Sequence, residues 1–67
     1  MDAIKSIEIA TIVDDENLAF NVDEDDVVEI MYEATSVGVR LLVTDKEKTQ
    51  TEIIIPWSNV ASSSVIK

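Results

Sequence analysis

A chain of 67 residues is enough for one domain, residues 1–67, and too short to wall off a deep substrate cleft; a domain of this size buries only about 60% of the surface its unfolded form exposes. With neither cysteine nor histidine, disulfides, the usual structural zinc sites and the commonest nucleophile and base chemistries are excluded. Asp plus Glu outnumber Lys plus Arg by 14 to 5, a net charge of −9, while a hydrophobic fraction of 46% belongs to a folded acidic domain and not to an acidic tail.

In chain order, Ala3 to Val13 is β-branched and roughly alternating, with Ile7, Ile9, Thr11 and Val13 on one face, which predicts one long first strand. Asp14-Asp15-Glu16-Asn17 is a charged turn, and Leu18, Phe20 and Val22 alternate with Ala19 and Asn21 as a second strand. The cluster Asp23-Glu24-Asp25-Asp26 turns the chain again. Over Val27 to Thr35 a helix and a strand compete. Glu29 and Glu33 one helical turn apart repel each other, whereas a strand sends Val28, Ile30, Tyr32 and Ala34 inward and Glu29, Met31 and Glu33 outward, so the strand is the preferred reading.

Thr35-Ser36-Val37-Gly38 supplies a bend, and its glycine marks a bulge or a close backbone approach. Val39, Leu41 and Val43 continue the core face opposite Arg40, Leu42 and Thr44. Asp45-Lys46-Glu47-Lys48 forms a hairpin loop, and Thr51 to Ile55 return as a strand that Pro56 ends. Trp57 to Val60 reads as one turn of tight helix that drops Trp57 and Val60 onto the core, before a last strand from Ser62 to Ile66. As the sole tryptophan, Trp57 is expected to plug the core, although aromatics are also enriched at binding hot spots.

The expected fold class is all-β: a small antiparallel meander or partly open barrel of five to six strands, with a one-turn helix near Trp57–Val60. The alternative is an α+β arrangement with a helix within residues 23–35. In strand order, with the one-turn helix before the last strand, the chain resembles small SH3-like and Sm-like barrels.

Charge is distributed unevenly. Residues 6–39 hold ten acids and no base, leaving the remainder near +1. Asp14, Asp15, Glu16, Asp23, Glu24, Asp25, Asp26, Glu29 and Glu33 are the candidate partner-binding residues. Such a surface repels nucleic acid and anionic membrane and attracts basic proteins at rates that fall with salt. Spread along a strand of about 30 Å and its flanking turns, ten acids approach the spacing of phosphates on one DNA strand. The plainer reading is a solvated face that keeps an apolar sheet from aggregating, though mixed charges would serve solubility as well without the self-repulsion.

Other chemistries fit less well. Asn21, Asp23 and Asp25 alternate like the start of a calcium loop, but Asp26 stands where its glycine belongs and Tyr32 where its bidentate acid belongs. No metal site, no cofactor and no enzyme activity are therefore expected. There is no basic stripe for direct nucleic-acid binding. Met31, Leu42 and Ile54 share an outward parity that leaves room for a homodimer. Without an N-terminal signal pattern or an apolar run near about 18 residues, the chain reads as soluble, untargeted and cytoplasmic.

A very short, cysteine-free, strongly acidic β-rich chain, particularly with Asp14 to Glu33 and its Asp23-Glu24-Asp25-Asp26 cluster, resembles the small host-takeover proteins of bacteriophages, among them DNA mimics. The resemblance implies a non-enzymatic inhibitor acting in the host cytoplasm on a basic DNA-binding protein, a histone-like HU protein of the nucleoid first and RNA polymerase second. The alternative from another class is a structural or assembly module, a small barrel that homo-oligomerises while its acids only keep it soluble.

Overall fold

The inward parity of the isoleucines changes between Ile4 and Ile7, and the chain bends where it changes. In a computed structural model describing residues 1–13, 16–24 and 26–67, the expected first strand is two: β1 (Asp2–Ile4) and β2 (Ser6–Thr11), with Lys5 at the bend. A straight strand would put Ile4 and Ile7 on opposite faces. Bending at Lys5 buries both in one core, at 5% and 2% exposure. The Lys5 backbone fixes the bend, its N–H donating to the Ile66 carbonyl at 2.7 Å and its carbonyl accepting from the Val22 N–H at 2.8 Å.

Five further strands follow: β3 (Asn17–Asn21), β4 (Val27–Ala34), β5 (Gly38–Asp45), β6 (Gln50–Pro56) and β7 (Val60–Ile66), with a 3-10 turn at Trp57–Asn59 before β7. They form two open antiparallel sheets, one ordered β1-β4-β5-β6 and the other β3-β2-β7. The fold is all-β, and residues 27–34 are a strand, not a helix. The bend at Lys5 supplies the seventh strand beyond the expected five or six.

The inner faces meet in a core of Ile4, Ile7, Ile9, Ile30, Val39, Leu41 and Ile55, edged by half-buried Leu18, Phe20 and Tyr32 among others. Two departures from simple alternation occur in β4. The register against β5 shifts between Val27 and Glu29, so Val27 packs on the core and the expected inward residue Val28 is 49% exposed. At the strand's end Ala34 lies beyond the core and is exposed. A bulge turns side chains by one position, which alternation alone does not reveal.

Gly38 answers to close approach. It pairs with Pro56, and a Cβ there would collide with the Ile55 carbonyl oxygen and lie 2.7 Å from the Pro56 Cα. That contact draws β6 tightly onto β5. Trp57 differs from expectation: it is 43% exposed and does not plug the core. Its indole Nε1 donates to the Thr35 carbonyl at 2.7 Å and its backbone N–H to Val37 at 3.2 Å, so the ring is tied across the outside of the 35–38 bend. Val60 does pack against the core, as expected.

Candidate functional site

The turn from Asn21 to Val27 carries the acidic cluster and joins the two sheets. Its backbone is hydrogen-bonded internally, from Glu24 N–H to the Asn21 carbonyl at 3.2 Å and from Val27 N–H to the Glu24 carbonyl at 3.0 Å. Asp23 and Asp26 take left-handed backbone conformations, φ 80° and 67°. Short polar side chains tolerate this region better than bulky ones, which is a local reason for acids here. Asp23, Glu24 and Asp26 are all exposed.

A second turn lies against the first. Lys46 N–H donates to the Asp26 carbonyl at 2.9 Å, and the Lys46 ammonium stands 3.3 Å from the Asp26 carboxylate. Within this second turn Asp45 Oδ1 accepts from the Glu47 and Thr49 N–H groups, both at 2.9 Å. Sequence reasoning treated Asp45 and Glu47 as a separate hairpin loop. The fold adds them to the acidic end, together with Lys46 and Lys48. Lys46 thus brings a base to a tract that has none in the sequence, so that tract is not base-free in space.

The other proposed residues sit elsewhere. Glu16 lies at the far end of β3, where its backbone closes the loop with buried Thr11: the Thr11 hydroxyl donates to the Glu16 carbonyl at 2.8 Å and accepts from the Glu16 N–H at 3.1 Å. Five residues of strand, roughly 17 Å, separate it from the acidic turn. Glu29 and Glu33 point outward from β4 in the other sheet. Glu29 is exposed and opposite Thr44, whereas Glu33 faces Arg40 at 3.6 Å. Asp14, Asp15 and Asp25 fall outside the described residues.

Arg40 is the hub of the outer face of the four-stranded sheet. Its guanidinium Nε and Nη2 both donate to one Glu52 oxygen, at 3.0 and 2.7 Å. The hydrogen bond and charge of Glu52, reinforced by Glu33, raise its pKa above the ordinary arginine value. Around it the outward row expected from parity is present: Met31 stands opposite Leu42, and Ile54, 54% exposed, opposite Arg40.

Eight of the eleven acids among the described residues make no ion pair: Asp2, Glu8, Glu16, Asp23, Glu24, Glu29, Asp45 and Glu47. All but the half-buried Asp45 are exposed. Glu8 was not among the expected site residues, yet it lines a shallow hollow with Glu24 and Val27. Its outward position on β2, opposite Ala19, was the available signal. Among the described residues no three acids converge as a metal site would require, and no helix is long and apolar enough to cross a membrane. No family model matches this chain, and neither a curated protein nor a solved structure matches it.

Proposed function

We propose that this chain is a non-enzymatic acidic binding protein, a DNA mimic that occupies the DNA-binding surface of a basic protein, with a histone-like HU protein the first target class and RNA polymerase the second. The observation that carries this reading is the set of eight carboxylates with no ion pair, held on strands and hydrogen-bonded turns. Groups fixed before binding lose less entropy when a partner docks. Each exposed charge pair is worth only about 0.2–1 kcal/mol, so affinity comes from many contacts and falls steeply with salt. The Glu8–Glu24 hollow, the Asp23–Asp26 turn and Glu29 form the proposed contact, with Glu16 reaching it only if the partner spans the length of β3.

Purified histone-like protein prebound to labelled DNA gives the direct test. The chain should displace the DNA at low salt, lose that ability as salt rises, and bind at least tenfold more weakly when Asp23, Glu24 and Asp26 are all changed to Lys. An interaction indifferent to those three changes would overturn the reading.

A second reading, the structural or assembly module, draws on the outward Met31, Leu42 and Ile54. In that reading Ile54→Glu should convert a stable oligomer to monomer in sedimentation, without any basic protein present.

A further inference from the structure

The edge strands of the two sheets are not equally guarded. β1 is three residues long, β3 is flanked by Glu16 and by the Asp23–Asp26 turn, and β6 carries Glu52 and ends in Pro56. Short length, flanking charge and proline are the devices that stop an open edge from pairing with another chain. β7 is the least guarded of the four, with only Lys67 beyond its end and a bulge at Ala61 near its start. It is seven residues long, carries no charge and no proline, pairs with β2 on one side only, and is exposed from Ala61 to Ser64. It belongs to the longest uncharged run of the chain, Ile53–Ile66.

We infer that the open edge of β7 pairs antiparallel with β7 of a second copy, about a twofold axis at Ser63. Two features select a second copy over an unrelated strand. Copies that each carry −9 repel where their acids meet, so self-contact is favoured along a strand without acids, and β7 is such a strand, its nearest acid being Glu8 opposite Ser64 on the side away from the open edge. The strand Val60-Ala61-Ser62-Ser63-Ser64-Val65-Ile66 also reads nearly the same in both directions about Ser63. Antiparallel self-pairing sets Ser62 opposite Ser64 and Ala61 opposite Val65 of the second copy, like against like, as an isologous contact requires. The register shift at Ala10/Thr11 makes Ala61 the extra residue against β2, so the regular part of the self-pairing is Ser62–Ser64, with Ala61 and Val65 meeting at its ends. The product is one continuous sheet ordered β3-β2-β7-β7-β2-β3, with the acid-flanked β3 strands at its two outer edges. The contact does not depend on the acidic-surface reading.

Sedimentation equilibrium of the full chain should show a concentration-dependent monomer–dimer equilibrium, with far-UV circular dichroism confirming that each variant is folded. Ser62→Lys combined with Ser64→Lys places like charges opposite each other twice across the twofold and should raise the dimer dissociation constant about tenfold, even though it lowers the net negative charge. Ser62→Lys combined with Ser64→Glu places opposite charges there and should leave the dimer as tight or tighter. Ser63→Cys offers a covalent readout, because paired strands hold opposite Cα atoms about 4.5–5.5 Å apart, inside the range a disulfide spans. The chain has no other cysteine, so glutathione-buffered oxidation should give a disulfide-linked dimer with Ser63→Cys and not with Ser58→Cys. A chain that stays monomeric at every concentration would overturn the proposal, as would a dimer that ignores both lysines and is abolished by Ile54→Glu. None of these measurements contains a basic protein, so they stand or fall separately from the DNA-mimic reading.

Discussion

The four-stranded and three-stranded sheets are built from similar β-branched sequence, yet they are anchored very differently. In the first, β5 is covered on both sides by neighbours, Val39 and Leu41 are fully buried, and Arg40 ties Glu33 and Glu52 across the outer face. In the second, Ile7 and Ile9 of β2 are buried, while the flanking strands contribute half-buried Leu18, Phe20, Val60 and Val65. The first sheet is a platform on which Arg40 offsets Glu33 and Glu52 and leaves Asp2 and Glu29 unpaired. The second is a thinner layer that carries Glu8 and ends in the acidic turn, without a base on its strands. Burial is therefore deepest in one layer, while the unpaired acids are shared between both layers and the turn that joins them.

Substitutions should separate the layers in order of size. Gly38→Val forces a side chain into the Ile55 and Pro56 backbone, and it should cost more than about 4 kcal/mol, enough to leave so small a domain largely unfolded by circular dichroism. Ile30→Ala empties a fully buried site of the platform and should cost about 2–5 kcal/mol in urea titration. The half-buried Leu18 of the thin layer offers the contrast: Leu18→Ala should cost about 1–2 kcal/mol, and an equal loss at both sites would erase the distinction between the sheets. Trp57→Phe keeps the ring and removes the bond to Thr35, for a loss near 1 kcal/mol in the same titration. Smallest is Arg40→Gln, a shift of the urea midpoint below all the others that shrinks further as salt is added, because the Arg40–Glu52 pair is exposed.

Much of this architecture was legible from period-two alternation. Val39, Leu41 and Val43 against Arg40, Leu42 and Thr44 is a pattern only a half-buried strand explains, and β5 follows it residue for residue. The single glycine flagged a close approach, and Pro56 marked the end of β6. What alternation could not carry was its own interruptions. The bend at Lys5 left a trace, since Ile4 and Ile7 differ in parity, but the bulge at Val28 left none because Val27 and Val28 are the same residue type. Trp57 was misplaced for a related reason. Hydrophobic size favours burial, yet the indole found its hydrogen-bond acceptor on the outside of a bend formed by residues 35–38. The acids were legible as a list and not as a shape, because tertiary contacts spread Glu16, Glu24 and Glu33 over separate elements and brought Lys46 back to the acidic turn.

The bend at Lys5 also governs the order in which the molecule assembles. Beyond it, Ser6 of β2 must meet Ile66 of β7, a pairing that closes a loop of sixty residues, whereas β4, β5 and β6 meet through short neighbouring turns. Closing a loop costs entropy that grows with its length and must be met before the contact forms. The platform is expected to zip first and β7 to dock last. Amide exchange should follow the reverse path, with Leu41 and Val39 protected to the limit of global unfolding and Ser62 to Ser64 opening long before it.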